Sequence, residues 1–111
     1  MLLQVLDGNS ALQQVIVHAQ EAQTDKSGTI AATAQSQLVL AANTTRSGWV
    51  IQNRGVNPMY INDLGAAAST GPGSFVVQPG GFFPPYPGHP ISTAAVEILG
   101  TAGDAYTVRE W

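Results

Sequence analysis

The sequence predicts an all-β fold, a small antiparallel β-sandwich or jelly-roll-like barrel with an N-terminal hairpin or arm. Three observations point there. Twelve glycines and seven prolines punctuate the 111 residues into short apolar runs. Those runs are rich in β-branched residues, which are stiff at χ1 and suit a pleated strand. Several short strands at close spacing bury their apolar faces by packing two sheets together, because one sheet alone leaves an apolar face in water. No repeat of roughly 20–50 residues is visible, which speaks against a solenoid or propeller.

The elements follow in order. Leu2 to Leu6 is a first apolar run, closed by the turn sequence Asp7-Gly8-Asn9. In residues 12–19, Leu12, Val15, Ile16 and Ala19 fit a helical face, whereas Val15-Ile16-Val17 favours a strand. We read this run as the return strand of a hairpin. Residues 20–36 are small and polar and suit a hinge, so the chain divides into a hairpin or arm at 1–24 and a sandwich body at 25–111. Within the body, Gln37 to Ala41 alternates Leu38 and Leu40 with smaller partners. Gly48 to Asn53 sets Trp49 and Ile51 on one face, and Met59 to Asn62 does the same with Met59 and Ile61. Residues 63–73 form a loop, Ser74 to Gln78 a strand, and Ala95 to Leu99 and Ala105 to Trp111 two final strands around a turn at 100–104.

Composition narrows the function classes. Charged residues are 10% of the chain, and the basic ones are Lys26, Arg46, Arg54 and Arg109, giving a net charge of −3. That is too few clustered cations for a phosphate-binding face or a polybasic membrane patch. No apolar run approaches the roughly 20 residues that span a bilayer, and the N-terminal Met-Leu-Leu-Gln does not read as a signal peptide. Cysteine is absent, which excludes disulfides and thiolate chemistry. A surface this poor in charge suits a subunit, since interface cores are depleted in charged residues.

Candidate chemistry is sparse. His18 and His89 are the two imidazoles, one in an apolar run and one in a proline-rich loop, so a metal site or other bound cofactor is not expected. No Gly-x-Ser-x-Gly is present. Asp7, Asp25, Asp63, Glu97, Asp104 and Glu110 supply carboxylates for a hydrolytic pair, but several stand in turn sequences, where aspartate serves the backbone. The chain is therefore expected not to be an enzyme.

The most unusual segment is Pro79 to Pro90, with five prolines and the aromatics Phe82, Phe83 and Tyr86. Proline removes donors, so this is a stiff connection rather than a central strand. Its aromatics either close one end of the sandwich, form a contact surface for a neighbouring subunit, or present a polyproline ligand. Trp111 pins the last strand within the fold or against a partner. The candidate interface residues are Phe82, Phe83, Tyr86 and Trp111, with Leu2, Leu3 and Val5 of the arm. Asn43 suits turn initiation and Gly48 a tight strand entry, while Arg46 has Asp63, Glu110 or turn carbonyls as possible partners.

From about residue 25 the chain resembles small structural proteins of tailed-bacteriophage virions. The words that carry this are Asp25-Lys-Ser-Gly-Thr-Ile30, Leu40-Ala-Ala-Asn-Thr-Thr-Arg-Ser-Gly-Trp-Val-Ile-Gln-Asn53, Met59-Tyr-Ile-Asn62, Pro79-Gly-Gly81 and Thr101-Ala-Gly-Asp-Ala-Tyr-Thr-Val-Arg-Glu-Trp111. The first 24 residues depart from that pattern. The resemblance implies a β-sandwich that decorates or cements the head, or lies at the neck or a fibre base. It implies self-association, a trimer among its forms, and contact with the major capsid or other virion proteins. Such a protein is made in the host bacterial cytoplasm and resides in the virion, with no nucleic-acid or membrane partner expected. The alternative is a β-sandwich recognition module for carbohydrate or a host surface, which needs an exposed Trp49, Tyr60 or Tyr86 beside Asn and Asp side chains.

Overall fold

The computed structural model describes residues 22–84 and 88–111. They form a β-sandwich of two antiparallel sheets, with no helix among the described residues and no closed barrel. The strands are β1 (Thr24–Asp25), β2 (Gly28–Thr29), β3 (Gln37–Leu40), β4 (Trp49–Asn53), β5 (Met59–Asn62), β6 (Phe75–Val77), β7 (Phe82–Phe83), β8 (Val96–Leu99) and β9 (Ala105–Glu110). The first sheet runs β1-β9-β4-β7, with β2 continuing along β9 beyond β1. The second runs β3-β8-β5-β6. The expected hairpin over residues 2–19 lies outside the described residues.

Alternation dictates the central strands. In β4, Trp49, Ile51 and Asn53 are buried while Val50 and Gln52 are only partly covered. The register sets Ile51 opposite Val108 in one sheet and Ile61 opposite Ile98 in the other. These four are at most 1% exposed and meet at the centre of the core. Each such side chain contributes about 1.5–3 kcal/mol by leaving water.

Three segments differ from the simple pattern or refine it. Alternation places Leu38 and Leu40 on one face, but Leu38 is 55% exposed while Val39 and Leu40 are both buried. A register shift against β8 between Leu38 and Leu40 explains this, because a bulge turns the chain by one residue. The small polar segment expected as a hinge is instead partly strand: Thr24 pairs with Glu110 and Gly28 with Tyr106, and Ile30 is buried. An edge strand needs only its backbone groups for the ladder, so polar residues suffice. In the proline-rich segment, Phe82 and Phe83 pair with Gln52 and Ile51 at the edge of the first sheet, where the missing donor of Pro84 does no harm.

Candidate functional site

Strands β3, β5 and β9 finish, and β4, β6 and β8 begin, at one end of the sandwich. The segments 41–48, 63–74 and 88–95 gather there with Trp111. Arg46 ties the first and third of these segments to the end of β9. Its Nε donates to Glu110 Oε1 at 2.9 Å, Nη1 to the carbonyls of Ser92 and Ala94 at 2.8 and 3.1 Å, and Nη2 to that of Ala41 at 2.6 Å. Of the partners open to Arg46 in the sequence, the fold selects Glu110 and the carbonyls. The preceding turn is set by Asn43, whose Oδ1 accepts from the Thr45 backbone N–H and hydroxyl. Gly48 and Trp111 exchange backbone hydrogen bonds at 3.0 Å. A Cβ at Gly48 would lie 2.6 Å from the Trp111 ring, so only glycine admits that approach.

Beside this frame is an open pocket of about 390 Å³, lined by Asp63, Leu64, Phe75, His89, Pro90, Ile91 and Ser92. Its polar wall is the pair of His89 Nε2 and Asp63 Oδ2, 3.7 Å apart, each side chain 11% exposed. The His89 ring stands edge-on to Phe83 and Phe75, with centroids 5.0 and 5.9 Å away. Ser92 Oγ donates to the Asp63 carbonyl and accepts from the Ala94 N–H. Serine, histidine and aspartate therefore share one pocket, but the serine proton is engaged on a backbone carbonyl, and Ser92 braces two loops instead of presenting a nucleophile. Among the described residues no three His, Asp or Glu side chains gather as a metal-ligand group.

The rest of the lining is apolar and wet. Leu64 is 77% exposed, Phe75 49% and Ile91 40%. Elsewhere, Tyr60 sits opposite both Val76 and Leu99 on the outer face of the second sheet, and Val56 projects from the turn at the far end.

The candidate interface residues separate. Phe82 faces water from the edge strand, whereas Phe83 is 1% exposed, its ring packed on Trp49 and Phe75 with centroids 5.4 and 4.9 Å away. Phe83 thus belongs to the core and floors the pocket region through His89. Trp111 is half-buried and anchored within the fold. Tyr86, Leu2, Leu3 and Val5 lie outside the described residues. Sequence reasoning missed Leu64, Phe75 and Ile91 as a group, because they come from three separate loops or strand ends. The one readable signal was Leu64 itself, a lone large apolar residue in a loop of small ones.

No family model matches this chain, and neither a curated protein nor a solved structure matches it.

Proposed function

We propose that this chain is a non-enzymatic structural protein of a bacteriophage virion, a decoration or cement protein that stabilises the head through subunit contacts. The observation that carries the reading is the wet apolar cluster of Leu64, Phe75 and Ile91 at one end of a sandwich whose sequence is only 10% charged. Exposed apolar clusters of this kind mark contact sites, and low charge suits a buried interface. The virion assignment is supported by the motif words quoted above, from the Asn43 turn to the terminal Arg109-Glu110-Trp111. The mechanism is burial of neutral and apolar surface at many symmetry-related sites, so that weak contacts add. Purified chain mixed with heads of the parent phage lacking it should co-sediment at a fixed ratio and raise the temperature at which heads release DNA. Heads that sediment without it at saturating chain overturn the reading.

A second reading, the carbohydrate or host-surface module, is favoured by the half-exposed Phe75 beside Asp63 and His89. Trp49, at 2% exposure, is not a sugar platform. Sugar-dependent change in tryptophan fluorescence, lost in Phe75→Ala, is the outcome that selects this reading.

A further inference from the structure

We infer that residues 12–19 of this same chain cover the pocket end, seating their apolar side chains against Leu64, Phe75 and Ile91. The inference stands apart from the virion reading, since it concerns what occupies this cluster before any other surface competes for it.

The path of the chain comes first. Strand β1 runs antiparallel to β9, with Thr24 opposite Glu110 and Gln23 Oε1 accepting from Arg109 Nη1 at 3.3 Å. Because β9 finishes at the pocket end, β1 begins there. Traced backward from Ala22, the chain therefore leaves the first sheet at the end that carries the pocket, and 21 residues precede that point.

Reach comes second. The first sheet has three strand spacings from β1 to β7, and Phe83 of β7 packs on Phe75 and His89 of the pocket lining. Three spacings and one step between sheets put the pocket roughly 17 Å from Ala22. Val15 stands seven positions before Ala22 and Leu12 ten, which extended chain spans in about 23 and 33 Å. The run can therefore be laid over the pocket by its own chain.

Area comes third. Leu64, Phe75 and Ile91 are only partly exposed. Together they offer on the order of 300 Å², a patch of ordinary size for a monomer. A stable interface between separate molecules buries roughly 800 Å² on each partner. A free second molecule gains too little from this patch alone, whereas an attached segment acts at an effective concentration of about millimolar. The occupant that the area favours is the tethered one.

Side-chain chemistry comes last. From Ser10 to Gln20 the sequence has no Asp, Glu, Lys or Arg. Helical periodicity groups Leu12, Val15, Ile16 and Ala19, and strand periodicity groups Val15, Val17 and Ala19. Val15 belongs to both groups and is the anchor. The pocket, about 390 Å³, has room for it between Leu64, Phe75 and Ile91.

The chain has no cysteine, so one introduced thiol can be labelled cleanly. A nitroxide on Gln14→Cys of the full chain should broaden the amide signals of Leu64, Phe75 and Ile91 and leave Val56, at the opposite end, sharp. When unlabelled wild-type chain carrying the nitrogen isotope is mixed with nitroxide chain lacking it, the broadening should vanish, because the cover belongs to the same molecule. Val15→Glu with Ile16→Glu should weaken the contact about tenfold or more, the scale of losing an apolar anchor. Gln20→Glu, which adds charge outside both groups, should leave the broadening as it was. Sharp pocket signals in the labelled chain overturn the proposal, as does broadening that persists in the mixture or is indifferent to the paired glutamates. A chain that shows the cover but ignores phage heads sinks the virion reading alone, and one that decorates heads with sharp pocket signals sinks the cover alone.

Discussion

Arg46 meets Glu110 at 2.9 Å with none of its side chain in water, and the same guanidinium holds three backbone carbonyls, that of Ala41 in its own segment and those of Ser92 and Ala94 in another. A planar fork with five donors can do this, and an ammonium cannot. Arg46→Met leaves Glu110 and the carbonyls of Ala41, Ser92 and Ala94 without their donor, and should cost about 3–5 kcal/mol in chemical denaturation. Arg46→Lys should recover only part of that loss. Equal stability of the lysine variant and wild type would show that charge alone, and not the fork, holds this end.

Gly48 and Trp111 form a second joint at the same end. Gly48→Ala forces the indole aside and should destabilise the chain, and Trp111→Ala removes the obstacle. The double variant should then cost less than the sum of the singles, with a coupling of about 0.5–3 kcal/mol, as expected for residues in contact. Additive costs in a denaturation cycle would show that the indole is not what excludes the methyl group.

Phe83 connects core to pocket, since its ring touches those of Trp49, Phe75 and His89. Phe83→Ala should cost about 3–5 kcal/mol by cavity formation. It should also shift the tryptophan emission to longer wavelength as water reaches Trp49. Phe82→Ala, on the exposed side of the same strand, should change stability by less than about 0.5 kcal/mol.

Asp25 reports on the first edge strand. Its carboxylate accepts from the Ser27 hydroxyl and, second, from the Ser27 N–H, and together with Arg109 these hold it below the ordinary aspartate range against a small opposing effect of burial. A depressed folded value means the contribution is present at neutral pH, above the unfolded value, and disappears as acid titrates the folded carboxylate. Ser27→Ala should raise the Asp25 value toward that of a free aspartate, read by carboxyl carbon chemical shifts. Because Ser27 Oγ also accepts from the Val108 N–H at 3.0 Å, the same substitution should speed exchange of that amide.

How far the sequence revealed this molecule depended on what each segment had to bury. Strands β4, β5, β8 and β9 alternate large apolar with smaller or polar residues, and their inward faces were readable as such. In β3 three apolar residues are adjacent, so the pattern carried no sign of the bulge that exposes Leu38 and buries Val39. Strands β1 and β2 contribute backbone hydrogen bonds and almost no apolar side chain, leaving periodicity nothing to register. Arg46 illustrates the middle case: its polar partners could be enumerated, but Ser92 and Ala94 offer only carbonyls, which no residue type announces. The pocket was least legible, since Asp63 and His89 are loop residues brought together by the packing of Phe75 on Phe83.

Strand β9 pairs with β1, β2 and β4 at once and lies at the centre of its sheet, yet it is the last of the nine to leave the ribosome. Until residue 110 has emerged, the segments that will flank it have no common partner, and Trp49 waits for a neighbour 61 positions later in the chain. Nascent chains interrupted before that point are therefore expected to expose the apolar face of β4 and to engage chaperones. Emergence of β9, and not of the strands before it, is the event that gives this sandwich its first sheet.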